Sequence, residues 1–249
     1  MRLLVVLMLF AVPLMGLGQS PELPPCEWAP GMYWEWQVVL PQSPSWSGVA
    51  AVYVLKAERW GDYELDLLVS NWPVEGGRVV RLGAVVRQPC GTMRGFGFLY
   101  SDIYRWAFNP PGSVIEHSWH AKGMGQATIE VELAPQPVEV EVPAGVFPEC
   151  VRLTRRSRTG GELVVAEEET IWFDRLLGWP VRMRSTLYYQ DRIYFSESQL
   201  VSYGVLPLAE IVARVFAALD EMEALGDPFS ETAQGLRGQL LSLGFSPPE

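Results

Sequence analysis

The sequence predicts a mainly β protein, an antiparallel meander forming a barrel or half-barrel and followed by a C-terminal α-helical hairpin. Three observations lead there. Apolar and polar residues alternate with period two in segment after segment, which marks antiparallel strands with one wet face. Tight-turn residues separate those segments, at 59–62, 75–77, 159–161 and 190–191. After Tyr203 the apolar period lengthens to that of a helix.

The strands follow in order. Trp34, Trp36, Val38 and Leu40 share one parity, opposed by Tyr33, Glu35 and Gln37. Tyr63, Leu65, Leu67 and Val69 oppose Glu64 and Asp66; Ile129, Val131 and Leu133 oppose Glu130 and Glu132. Val181, Met183 and Leu187 oppose Arg182, Arg184 and Thr186. Less regular strands are expected over 50–57, 78–87, 96–104, 113–121, 162–173 and 192–203. In VEVEVPAGVFPECVRLTR, residues 138–155, Val138, Val140 and Val142 alternate with Glu139 and Glu141. Pro143 then interrupts the ladder and Gly145 frees the turn. Cys150 has the parity of Arg152 and Thr154, so it is expected off the core face and tied to another cysteine. In the tail, Leu208, Ile211, Val212, Val215, Phe216, Leu219 and Met222 form one helical stripe from Pro207 to Gly226. Ala233, Leu236, Leu240 and Leu243 form a weaker second stripe. The expected organisation is a signal peptide over 1–18, a barrel-like domain over 19–204 and a helical tail over 205–249, packed on or beside the sheet.

The first segment carries Arg2, an apolar run over 3–12 and a small-x-small site at Gly16 and Gly18. That pattern is a cleavable signal peptide, so the chain is expected outside the cytoplasm, in the periplasm, at the cell surface or in the medium, with no transmembrane span after cleavage. Removing 1–18 takes Arg2 away and leaves 18 Lys and Arg against 29 Asp and Glu, a net of −11. Such a balance argues against nucleic acid and against anionic lipid surfaces. The basic run at Arg152, Arg155, Arg156 and Arg158 reads as a solvated strand end paired with Glu167, Glu168 and Glu169. An exported chain can form disulfides, and two of Cys26, Cys90 and Cys150 are expected to pair.

Catalytic and metal patterns are thin. No C-x-x-C or G-x-S-x-G occurs, and residues 91–97 lack the ending of a phosphate loop. His117 and His120 point to opposite sides of a strand, which does not suit a shared metal. No cofactor, catalytic residue or metal ligand is assigned. The loop aromatics Trp46, Trp60 and Trp72 are candidate ligand contacts, or plugs at the barrel ends.

Several local signatures also line up: the opening strand GMYWEW, the turn VPAGVF, the aromatic strand at Trp172 and Phe173 returning through LGWPV, and the closing strand LVSY. Over residues 28–204 they resemble the DUF3108-like family of exported bacterial proteins. The resemblance implies a barrel-like exported domain and no catalytic residues. The functional expectation is a non-enzymatic binding or envelope-assembly module. It would hold a lipid-like ligand or an extended peptide in the concave sheet, with the helices as a lid or as a surface for an envelope partner. The alternatives are a purely structural envelope protein with a packed interior, and a hydrolase using His117 or His120.

Overall fold

The computed structural model describes residues 28–60, 63–86, 93–94, 99–121, 125–159, 165–189 and 192–247. The signal segment, Cys26, Cys90 and the hairpin tips at 61–62, 160–161 and 190–191 lie outside the described residues.

The strands are β1 (Met32–Val39), β2 (Gly48–Trp60), β3 (Tyr63–Val74), β4 (Gly77–Val86), β5 (Met93–Arg94), β6 (Val114–Ala121), β7 (Gly125–Leu133), β8 (Val138–Val142), β9 (Gly145–Thr159), β10 (Val165–Asp174), β11 (Trp179–Tyr189) and β12 (Arg192–Val205). Their order in the sheet is β5-β4-β3-β2-β1-β12-β11-β10-β9-β7-β6, with β8 paired to β9 off that path. Every pairing is antiparallel. The first and last strands are neighbours, so the chain leaves a central seam in one direction and returns to it from the other. Among the described residues β5 and β6 do not pair, and the half-barrel stays open.

The inner face carries the larger core. Trp34, Trp36, Val52, Leu68, Val131, Leu153, Ile171, Phe173, Val181 and Leu200 are all buried there. Trp34 lies 4.8 Å from Trp179 and 5.7 Å from Trp28, ring centre to ring centre. Trp36 donates its indole N–H to the Pro180 carbonyl at 2.9 Å, which satisfies its one polar atom.

Helix α1 (Leu99–Ala107) also packs into this core, through Ile103, Tyr104, Trp106 and Ala107. The sequence suggested a strand over 96–104, because Tyr, Phe and Ile favour strands. The spacing i, i+1, i+3, i+4 of those buried residues belongs to one helical face, and tertiary burial decided the matter. Arg175 holds the end of α1 by donating to the Ala107 carbonyl at 2.9 Å, where a helix C-terminus favours a cation.

The VPAGVF turn forms the β8–β9 hairpin, which lies over β11 and β12 and buries Val140, Val142 and Phe147. Ala144 donates its N–H to the Leu200 carbonyl at 3.1 Å. Register along this hairpin slips between Val138 and Val140, whose partners are Cys150 and Phe147. That extra residue in β9 is a bulge, and it re-phases the strand.

The outer face bears the second core. Strand β2 sends Val52 and Val54 inward, while Ala51, Tyr53 and Leu55 point outward to the tail. Burial on both faces explains why its sequence runs nearly all apolar instead of alternating. Helices α2 (Leu208–Glu223) and α3 (Phe229–Ser242) cover β2, β3 and β4 with Ile211, Val215, Phe216, Leu219, Met222, Ala233 and Leu240. Arg214 reaches Glu35 at 2.8 Å and Arg78 reaches Glu221 at 3.1 Å, pinning the helix to the sheet. The expected role of the hairpin as a lid on the concavity is therefore corrected: it lies on the opposite side of the sheet.

Gly31 stands at the central seam, between β2 and the residue that follows β12. Its N–H donates to Val54 O at 2.9 Å and its carbonyl accepts from Leu206 N at 2.9 Å. Its φ is +96°, and a Cβ there would sit 2.6 Å from the Leu206 carbonyl oxygen. Only glycine meets both conditions.

Candidate functional site

The aromatic candidates do not converge. Trp46 ends a short 3₁₀ turn, Pro44–Trp46, and is half-buried beside β3. Trp72 is exposed within β3, where it pairs with Val79 of β4; it is a strand residue and not a loop one. Trp60 ends β2 opposite Tyr63, and its side chain lies outside the described residues. Nine residue steps of strand lead from Tyr63 to Trp72, about 30 Å at about 3.3 Å per step, so Trp60 and Trp72 mark opposite ends of one hairpin.

Cys150 is a free thiol with no accessible surface, and its S–H points to the Phe147 carbonyl at 3.8 Å. The expectation of a disulfide on the non-core face is corrected for this residue. The bulge places Cys150 on the Phe147 side of β9, beneath β8, so that both it and its neighbour Val151 are enclosed. Burial pushes its pKa up to about 12, with the Asp174 carboxylate adding to the shift. A thiol in that state is no nucleophile. Iodoacetamide at pH 8 is expected to leave Cys150 unmodified in the folded protein and to alkylate it once denaturant is added. Peptide-resolved mass spectrometry reads the difference.

The basic run of β9 divides by parity. Arg155 turns inward and is buried, with Glu167 at 2.7 Å and Glu169 at 3.0 Å. Ser185 donates to the other oxygen of Glu167 at 3.0 Å. The Glu169 contact is ionic and lies off the line of the Arg155 Nε–H. Burial raises the Glu169 pKa, Arg155 opposes the rise and Glu167 adds to it. The expected solvated strand end is thus half right: this arginine is paired with acids, but inside the half-barrel.

Arg156 and Arg158 turn outward, into an open groove of about 590 Å³ that crosses β6, β7, β9, β10 and β11. Register defines two adjacent cross-strand rows. One runs Glu116, Glu130, Arg156, Glu168. The next runs Ser118, Thr128, Arg158, Ala166, Tyr188. Arg156 is held by Glu130 at 2.9 Å, Glu168 at 3.4 Å and Glu132 at 3.6 Å. His117 is exposed and joins the lining, and the side chain of His120 lies outside the described residues. No group of three or more His, Cys, Asp or Glu side chains among the described residues is arranged to hold a metal. No described helix is long and apolar enough to cross a membrane.

The alternation at Glu167, Glu168 and Glu169 signals the division of acids between the two faces. Tyr188 carried no such signal, since its place in the groove depends on which strand lies beside β11.

Within the described residues the chain is an open antiparallel half-barrel with helices on its outer side, and two solved structures are similar to it. A protein from Bacteroides fragilis, described as exported and of YmcC-like fold, is 13% identical, with a TM-score of 0.42 over 73% of this chain and 98% of its own. A protein from Parabacteroides distasonis, described as a lipoprotein, is 10% identical, with a TM-score of 0.39 over 73% of this chain and 97% of its own. No protein-family model and no curated protein matches the chain.

Proposed function

We propose that the chain is an exported, non-catalytic binding or envelope-assembly module that meets its ligand on the outer groove and not in the concave interior. The observation carrying this reading is the contrast between the two faces. The concave side is filled by Trp34, Leu153, Ile171, Phe173 and Leu200, each at most 1% exposed, which leaves an acyl chain no room among them. The groove is open and lies within the usual size range of ligand sites. Export rests on the leader-like first segment. A purely structural envelope role is the second reading, favoured by the same packed interior.

Two measurements test the proposal. Native mass spectrometry after gentle extraction is expected to give the polypeptide mass alone, and a retained acyl lipid would overturn the packed-interior premise. The protein is further expected to sediment with isolated bacterial envelope fractions. Ala166→Trp, which fills the groove from a half-buried strand position on the outer face, should reduce that association about tenfold, near 1.4 kcal/mol, without altering the thermal midpoint. Sedimentation indifferent to this change would point to the structural reading.

A further inference from the structure

The groove lining states what chemistry can enter. Its outward side chains include three carboxylates, Glu116, Glu130 and Glu168, with Glu132 beside Arg156 as a fourth, against two guanidiniums, Arg156 and Arg158, a net of −2. Arg156 is already surrounded by three acids. Phosphate polymers and anionic headgroups are repelled by such a surface. A cationic peptide gains little either, because Glu130 and Glu168 already face the Arg156 guanidinium.

Uncharged hydroxyl-rich ligands face no such penalty. Carboxylates accept hydrogen bonds from hydroxyls, guanidiniums donate to them, and Ser and Thr do both. Tyr188 adds a flat apolar face, 45% exposed. Its partner across the ladder is Ala166, whose methyl leaves the ring unobstructed on that side. Beyond Ala166 the row continues through Arg158 and Thr128 to Ser118. Four inter-strand steps of about 4.8 Å make this row about 19 Å long. The order is therefore aromatic platform, gap, donor, hydroxyls, on one line.

We propose that this groove binds a neutral oligosaccharide, with one ring stacked on Tyr188 over Ala166 and its hydroxyls bonded to Arg158 and the flanking acids. The proposal rests on the reading that the outer groove is the ligand surface, and names its ligand class.

Calorimetric titration of the full chain with cellohexaose, chitohexaose and maltohexaose tests it. At least one is expected to bind. Tyr188→Ala should weaken that binding about tenfold and Tyr188→Phe should preserve it, while Ala166→Trp should abolish it. Binding by none of the three sugars overturns the proposal, as does binding that Tyr188→Ala leaves unchanged. The envelope sedimentation assay separates the two levels. If Ala166→Trp reduces sedimentation while none of the sugars competes and polylysine does, the ligand is a cationic chain and only the sugar proposal falls. If Ala166→Trp changes neither sedimentation nor sugar binding, the groove reading falls with it.

Discussion

Arg155→Met is expected to destabilise the fold by about 3–5 kcal/mol, because it strips two carboxylates of their counter-charge inside the half-barrel. Glu169 is 8% exposed and Glu167 29%, so water reaches the first hardly at all and the second only in part. Methionine keeps most of the buried volume, which separates the charge effect from a cavity. The measurement is the urea midpoint at pH 7, and a loss below about 1 kcal/mol would mean that the cluster is solvated after all. Glu169→Gln should behave differently. Burial lifts the folded-state pKa of Glu169 above that of the unfolded chain. The ionised form therefore costs stability above the raised pKa, and that cost is relieved as pH falls through it toward the ordinary glutamate range near about 4.3. The wild type should gain on Glu169→Gln as pH is lowered from 7 to 5, starting from equal or lower stability at pH 7. A difference that stays flat over that window would contradict the assignment.

The second large effect is expected at Trp34. Its ring is 1% exposed and is flanked by Trp28, Trp36 and Trp179 in the inner core. Trp34→Ala removes the side chain and leaves a cavity that β1, paired on both sides, cannot close by moving. The expected loss is about 3–5 kcal/mol, read from chemical denaturation. Near-ultraviolet circular dichroism should weaken at the same time, since Trp34 and Trp179 are 4.8 Å apart. Tyr188→Ala serves as the control, because an exposed strand residue on the solvent face should change stability by no more than about 0.5 kcal/mol.

The two positions differ in how readily the sequence disclosed them. Trp34 was legible, since Trp34, Trp36 and Val38 alternate with polar residues and such a pattern has one oily side. Arg155 was legible only as a member of a charged run. Its inward parity could be counted, but its burial depends on β7 and β10 closing over it from both sides. Strand β2 was harder to read, because a strand covered on both faces loses its alternation. The strand expected over 96–104 overlaps the helix Leu99–Ala107 because its aromatic residues suit strands, whereas a helical pattern in nine residues is a weak signal. Cys150 is buried although the count puts it off the core face, because the residue inserted in β9 just before it turns it to the Phe147 side, while Val151, Leu153 and Arg155 keep their counted parity.

The chain by itself determined its local periods: two-residue alternation for the sheet, a 3.6-residue stripe for α2, and turn chemistry at Pro143 and Gly145. These are near-neighbour properties, set by backbone sterics and by which side chains prefer water. Only the tertiary structure decided that the sheet stays open, that α2 and α3 take its outer face, and that Tyr188, Arg158 and Ser118 fall on one line. Those relations join residues far apart in sequence through strand order and register, and local preference carries no record of either.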